Sequence, residues 1–303
     1  MFTLKTSLII PTRNRSKQLI DLLRNLFILK ISFGEILVID SSKNFHSKKI
    51  KNYCKKKKIK YFTSNSSTSL QRNLGLKKAK PKSFIMFMDD DVVFSKDTFI
   101  KMNDCIVKNK NNSKIAGFGF NQIQKEKENI LEKIKKNKFI EYLNIYPSMP
   151  GKVSKSGWHS KILNLKKDSL ADWVFTTISI FKKDEIKDLK FDETFGQYSY
   201  LEDLDFSLNL KKKNKKIYIC SKAKFKHPDN IDRSNFNFGI VEIKNRFKIV
   251  SKHNLSKKYF VIGCIIRFLI SILKSISLNQ KYFFRAVGNI YGFFILINPF
   301  KLN

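Results

Sequence analysis

Five short apolar runs punctuate the first 120 residues, at 6–10, 35–39, 59–63, 84–88 and 114–120, and stretches with helical spacing fill the gaps between them. Leu19, Leu22, Leu23 and Leu26 recur at the interval of a one-faced helix, as do Leu70 with Leu74 and Phe99 with Met102 and Ile106. Strand and helix in strict alternation predict an α/β sheet built from crossover units. Ligands in such sheets bind beyond the carboxyl ends of the strands. The residues there are polar: Pro-Thr-Arg-Asn-Arg (11–15) after the first run, Asp40-Ser41-Ser42 after the second, and Asp89-Asp90-Asp91 after the fourth. A further polar stretch, Gln71-Arg72-Asn73-Leu74-Gly75, lies in the third helical segment.

The aspartate triplet is the sharpest of these signals. Three adjacent carboxylates at a strand end repel one another unless a cation or a set of donors compensates them. A divalent ion such as Mg2+ or Mn2+ takes carboxylate oxygens and, in nucleotide enzymes, shares its shell with phosphates. The alternative, a solvated acidic turn, sits poorly with the apolar run 84–88 that delivers the triplet. A second acidic cluster lies at Phe191-Asp192-Glu193-Thr194-Phe195 and Tyr200-Leu201-Glu202-Asp203-Leu204-Asp205. Carboxylates held near apolar groups and other acids gain proton affinity and can serve as general bases; equally, Glu202 and Asp203 would cap the first turn of a helix.

Composition narrows the classes. Hydrophobic residues at 42% and aromatics at 13% of 303 residues exclude intrinsic disorder and leave ample length for a core. Lys and Arg total 60 against 25 acids, and only eight of the 60 are Arg. A phosphate-gripping surface favours Arg, so the lysine excess reads largely as compositional bias, leaving a field that attracts anions in general. The lysines are spread along the chain, which argues against specific nucleic-acid binding, the alternative that a charge of +35 and 28 Phe would suggest. Cys54, Cys105, Cys220 and Cys264 form no C-x-x-C pair, so neither a disulfide framework nor a zinc site is signalled and a reducing compartment is expected. A P-loop, a dinucleotide fingerprint and a nucleophile elbow are all absent from the sequence.

Taken in order, Pro-Thr-Arg-Asn-Arg, Val-Ile-Asp, Gln-Arg-Asn-Leu-Gly, Phe-Met-Asp-Asp-Asp-Val, Ala-Asp-Trp, Phe-Asp-Glu-Thr-Phe, Glu-Asp-Leu-Asp and Lys-His-Pro resemble the motifs of the family 2 glycosyltransferases of GT-A fold, over about residues 5–230. The resemblance implies a mixed central sheet flanked by helices, and an inverting, metal-dependent transfer of a sugar from a nucleotide-diphosphate donor to a hydroxyl. Pro11, Thr12 and Arg13 match the loop lining the nucleotide pocket, Asp40 the acid that meets the base edge, and Arg72 the arginine near the nucleotide. Asp89 and Asp91 match the metal-holding acids, Asp90 the one reaching the ribose, His227 a histidine that joins the metal shell in some relatives, and Asp203 the base that deprotonates the acceptor. A catalytically inactive carbohydrate-binding relative would be expected to have lost Asp91 or Asp203, and both are present. Where the family has a second acid or an amide after Asp40 this chain has Ser41, and where it has a glycine pair on the acceptor side this chain has Thr176 and Thr177.

The expected organisation is a catalytic domain over 1–235, with a nucleotide-binding half (1–120) and an acceptor half (121–235), followed by a helical tail over 236–303. A Lys- and Asn-rich stretch between 121 and 170, containing Trp158 and His159, is expected to be a flap over the donor site or else a surface insertion. In the tail, residues 259–276 and 282–300 are apolar but interrupted by Arg267, Lys274, Arg285 and Asn289. Each approaches spanning length, yet a central Arg costs about 2.5–3.5 kcal/mol in a bilayer, so the tail is expected to lie in a membrane interface or to pack as a helical hairpin on the domain or on a second copy. Lysines such as Lys244, Lys248, Lys252, Lys257 and Lys258 would add attraction to an anionic cytoplasmic leaflet. The N-terminal apolar run is too short for a secretory signal. The expectation is a cytoplasmic protein, peripheral on the inner face of the cell membrane, acting on a saccharide or polyprenyl-linked acceptor in bacterial surface polysaccharide synthesis.

Overall fold

The computed structural model describes residues 5–80, 82–124, 145–228, 232–277 and 279–297. Two compact units divide the chain, Met1–Lys125 with Ile162–Pro228, and Glu126–Lys161 with Asp229–Asn303. Of the described residues, 145–161 thus group with the tail, whereas the sequence reading places 121–235 together as an acceptor half.

The first unit is a mixed sheet with helices on both faces. Its strands are β1 (Thr6–Thr12), β2 (Glu35–Asp40), β3 (Lys60–Thr63), β4 (Phe84–Met88), β5 (Val93–Phe94), β6 (Ile115–Gln122), β7 (Ser169–Ala171), β8 (Ile178–Lys182) and β9 (Lys216–Lys226). Its helices are α1 (Ser16–Ile28), α2 (Asn44–Lys56), α3 (Thr68–Lys78), α4 (Lys96–Asn109), α5 (Lys183–Ile186) and α6 (Glu202–Lys212). All five apolar runs form strands. The order across the sheet is β3-β2-β1-β4-β8-β6-β9-β5, with β7 on β9. β1 lies parallel between β2 and β4, whereas β8 enters antiparallel to both β4 and β6 and makes the sheet mixed.

Every residue of β1 is buried, because alternate side chains enter separate cores on the two faces. Leu8 and Ile10 join the Leu19, Leu22, Leu23 and Leu26 stripe of α1 on one face. Ile9 joins Phe87, Phe181 and Phe206 on the other. Each such aliphatic side chain contributes about 1.5–3 kcal/mol on full burial. On that second face α3 comes unusually close: a Cβ on Gly75 would lie 2.4 Å from Cγ2 of Ile9, so only glycine lets the helix rest there. Cys105 on α4 and Cys220 on β9 form a disulfide, with Cα atoms 6.3 Å apart. Sequence spacing does not signal this pair, because 115 residues separate its members.

The second unit contains α7 (Phe236–Lys252), α8 (Lys257–Ser277) and α9 (Lys281–Ile297). α7 and α9 meet backbone to backbone: a Cβ on Gly288 would stand 2.1 Å from the Phe236 carbonyl oxygen, and one on Gly239 2.4 Å from that of Arg285. Small residues spaced as Gly288 and Gly292 are what permit such an approach. The arginines that interrupt the apolar helices turn inward. Glu242 Oε2 accepts from Arg267 Nε at 3.0 Å, from Arg285 Nη2 at 2.9 Å and from Asn289 Nδ2 at 3.2 Å. Trp158 is 3% exposed, stacks on Phe260 with ring centroids 5.9 Å apart and lies under the Arg246 guanidinium. Residues 145–161, part of the stretch read as a flap, therefore belong to this helical core, whereas 125–144 lie outside the described residues.

Candidate active site

Parallel pairing brings the ends of β1, β2 and β4 to one edge of the sheet. Thr12 stands level with Asp40 in the register, and the aspartate triplet follows Met88 directly. Thr12 Oγ1 donates to Asp90 Oδ2 at 2.7 Å across this edge. Arg15 Nη1 bridges Asp90 Oδ1 at 3.1 Å and Asp91 Oδ2 at 2.7 Å. His227 Nε2, just past the end of β9, lies 3.0 Å from Asp91 Oδ1. Thr12, Asp90, Asp91 and His227 thus meet in one connected group. Pro11 is buried in β1 beside them, while Arg13 is exposed. Of the two arginines in the 11–15 stretch, the one that reaches the triplet is Arg15, which sits at the start of α1.

Helix α3 organises the neighbouring half of the site. Its Gln71 Nε2 donates to the carbonyls of Thr12 at 2.8 Å and Ile39 at 2.7 Å, tying the ends of β1 and β2. Arg72, 3% exposed, donates through Nη2 to Asp89 at 3.0 Å and through Nη1 to Glu202. Its guanidinium also lies over the Phe191 ring, 5.6 Å from the centroid. Arg72 is thus held under the site as a counter-ion that fixes Asp89 and Glu202. Asp40, 1% exposed, accepts from Tyr61 Oη at 2.9 Å and from its own turn at Ser42 N at 2.8 Å.

Glu202 and Asp203 open α6 but differ in setting. Glu202 is buried on Arg72 and Thr176, whereas Asp203 is half-buried and accepts from Leu204 N at 2.8 Å. The turn that presents them is strained: Ser199 and Leu201 have φ of 50° and 74°, and such backbone persists where surrounding bonds over-determine it. Ser199 Oγ supplies those bonds, donating to Gly196 O at 2.9 Å and accepting from Ser69 N at 3.3 Å.

Charge and burial act together here. Burial pushes Asp90 up to about 6, against the pull of Thr12 and Arg15. Burial would raise Asp91 too, but His227 and Arg15 hold it below the usual carboxylate range. Burial drives Glu202 upward as well, with Arg72 opposing and Asp203 reinforcing. The site therefore keeps its acids beside fixed cations. Asp91 Oδ1 and the His227 imidazole face each other at 3.0 Å and offer an oxygen and a nitrogen of the kind that Mn2+ or Mg2+ takes, whereas Asp89 is held on Arg72 and does not close a three-residue cluster with them. The sequence names Arg15 only within the 11–15 stretch and Glu202 only as a general base or helix cap, and the structure places the first on Asp90 and Asp91 and the second on Arg72. The signal for Arg15 was its place directly before the helix start at Ser16, and for Glu202 its adjacency to Asp203.

Comparison with known proteins identifies the family and the fold. The sequence profile of glycosyl transferase family 2 matches residues 7–163. An uncharacterised glycosyltransferase of Rickettsia conorii is 39% identical over 95 residues, which is 31% of this chain and 16% of that protein. One from Rickettsia felis is 38% identical over 95 residues, with the same shares. The match thus spans about one-sixth of the length of these curated relatives. Among solved structures, a mannosyltransferase of Pyrobaculum calidifontis in complex with GDP-Man and Mn2+ superposes with a TM-score of 0.53 at 12% identity, covering 94% of this chain and 74% of that one. Residues 1–349 of Staphylococcus aureus TarS give 0.54 at 19% identity, covering 90% and 74%. GalNAc-T7 with UDP, GalNAc and Mn2+ gives 0.55 at 14%, covering 85% and 56%.

Proposed function

The chain belongs to glycosyl transferase family 2 and has the GT-A fold, and from that premise we propose that it transfers a sugar from a nucleotide-diphosphate donor to an acceptor hydroxyl with inversion at the anomeric carbon. The observation that carries this reading is the connected group at the sheet edge, in which Thr12 and Arg15 grip Asp90 and Asp91 beside His227. The solved mannosyltransferase and GalNAc-T7 hold GDP-Man and UDP with Mn2+, which supports a divalent ion and a nucleotide sugar here too.

In this reading Asp89, Asp91 and His227 would hold Mn2+ or Mg2+, which would supply the charge neutralisation that a leaving diphosphate needs. Asp40 and the loop at Pro11, Thr12 and Arg13 receive the nucleoside, with Asp90 turned toward the ribose. Arg15 exchanges its carboxylates for the diphosphate, a bidentate role suited to a guanidinium. Arg72 keeps Asp89 and Glu202 in place. Asp203, less buried than Glu202, takes the proton of the incoming hydroxyl, a contribution of about 10²–10⁴-fold in rate. The acceptor is a saccharide or a polyprenyl-linked sugar in bacterial surface polysaccharide synthesis, and the enzyme works at the cytoplasmic face of the membrane.

A thermal-shift panel with UDP, GDP, dTDP and CMP, each with and without Mn2+, tests the reading. A ligand at about 100 times its dissociation constant adds about 2.7 kcal/mol. Stabilisation by one diphosphate only with metal, abolished in Asp91→Asn, is expected. A flat panel with salt-sensitive stabilisation by single-stranded nucleic acid would favour the charge-driven alternative. Inversion is checked separately by the anomeric configuration of the product.

A further inference from the structure

The helical unit is polarised the opposite way from a soluble hairpin. On α8, Val261, Ile265, Leu269 and Leu273 form an exposed stripe, 39–56% accessible, while Arg267 and Ser271 face inward. On α9, Phe283, Val287, Ile290, Phe294 and Ile297 are exposed, while Arg285 and Asn289 are buried. Surface helices ordinarily turn such apolar stripes toward the core and their charges toward water. Here the charges are gathered on Glu242 and the outer face is hydrocarbon. Exposed lysines, Lys257 and Lys258 at the start of α8 and Lys281 at the start of α9, stand at the ends of this face.

We propose that the outer faces of α8 and α9 together form a docking surface that lies flat in the headgroup and upper acyl region of an anionic phospholipid bilayer. Charge selects this occupant over a second copy of the chain. A copy would place the like-charged Lys257, Lys258 and Lys281 of a second chain of net charge +35 against these lysines, whereas anionic headgroups complement them. The geometry also selects lying in the plane over crossing. α8 has 21 residues and is long and apolar enough to cross by composition alone. Yet Arg267 is fixed to Glu242 of α7, and α7 is locked to α9 through Gly239 and Gly288. Crossing would draw α7, with Lys244, Lys248 and Lys252, into the hydrocarbon. Amphipathic helices in this situation bury only their apolar face at the interface. The inference deepens the membrane part of the proposed function and rests on it, while standing apart from the transfer chemistry.

The full chain is tested by flotation with vesicles of phosphatidylcholine, with and without phosphatidylglycerol. Wild type is expected to bind the anionic vesicles more tightly than the neutral ones. Leu269→Glu with Phe294→Glu is expected to lose binding at least about tenfold while keeping its circular dichroism and its metal-dependent nucleotide binding. Equal binding by wild type and the double variant overturns the surface and leaves membrane association standing. Failure of wild type to float, with a dimer in sedimentation that the double variant dissolves, overturns both and assigns the face to a second copy. Because nucleotide binding is read in the same samples, either failure is distinct from failure of the transferase reading. A second probe covers misfolding of the double variant: Phe294→Trp should be quenched more by lipid brominated near the headgroup than by lipid brominated near the chain end, and the reverse order overturns the flat orientation.

Discussion

Replacing Glu242 by glutamine tests whether the helical unit depends on one buried negative charge. A single oxygen, Oε2, receives Arg267 Nε at 3.0 Å, Arg285 Nε and Nη2 at 3.2 and 2.9 Å, and Asn289 Nδ2 at 3.2 Å. Both arginines are nearly inaccessible, at 7% and 5% exposure. Glutamine keeps the shape and an acceptor but removes the charge, leaving two buried cations facing a neutral amide. Removing one partner of a buried ion pair costs about 3–5 kcal/mol, a large part of a total stability of about 5–15 kcal/mol. With a urea m-value of about 2 kcal/mol/M, the midpoint should fall by about 2 M. The assay is urea unfolding followed by helical circular dichroism, with amide exchange in α7 and α9 locating the loss. Acidity provides a second reading. Burial alone would raise the Glu242 carboxyl, but Arg267 and Arg285 hold it well below its ordinary 4.5. A depressed folded-state value means the contribution is complete above about pH 4.5 and is lost as pH falls toward the folded value. Wild type should therefore weaken in acid along a slope that Glu242→Gln lacks. A loss below about 1 kcal/mol at neutral pH would refute the reasoning, since it would mean that the arginines are hydrated or paired elsewhere.

Gly75→Val should lift α3 off Ile9, cost about 1–3 kcal/mol of stability and weaken nucleotide binding measured by calorimetry; unchanged affinity would show that the close approach does not position the site. Asp203→Asn should retain metal-dependent nucleotide binding and lose about 10²–10⁴ in kcat, and near-normal transfer would dismiss it as the base. Arg15→Gln should bind Mn2+ alone about three- to tenfold more tightly, because a half-exposed cation no longer competes for Asp90 and Asp91, yet bind a nucleoside diphosphate more weakly; electron paramagnetic resonance of free Mn2+ reads the first effect. Reducing the Cys105–Cys220 bridge, which closes 115 residues of chain, should lower stability by about 2–4 kcal/mol, seen as a drop in the thermal midpoint that Cys105→Ser reproduces without reductant.

The first half of the sheet was legible because β1, β4 and the last four residues of β2 are buried and read as apolar runs, and because the polar residues that follow these runs fall at one edge once the strands are parallel. β8 carries the same composition, but a sequence run does not state its direction, so its antiparallel insertion between β4 and β6 had to be seen. Arg13 and Arg15 share one pentapeptide; the positive φ of 56° at Asn14 turns the chain between them and decides which one meets the triplet. Glu202 and Asp203 are adjacent and chemically alike, and only packing against Arg72 and Thr176 separates them. In the tail, arginines within apolar helices read as an obstacle to crossing a membrane, and the fold turns them onto Glu242, 25 and 43 residues away in sequence. Trp158 likewise found its partners in Phe260 and Arg246, distances that no local pattern encodes.

The stretch Gln71 to Gly75 leaves little room for drift. Gln71 spans two strand ends, Arg72 two acids, Gly75 rests on Ile9, and the Asn73 amide exchanges hydrogen bonds of 2.9 and 2.8 Å with the backbone of Phe191. Each side chain addresses a different part of the unit, so no single replacement can be compensated by its neighbour. A library randomised across these five positions should return few folded, nucleotide-binding clones beyond the parent, whereas one randomised at Ser41 and Lys43, beside the expected nucleobase, should return many and shift the nucleotide preferred, with Ser42 kept because its Oγ accepts from Asn14 N at 2.6 Å. In the proposed reading, donor choice is therefore open to selection without disturbing the helix that keeps the site in gauge.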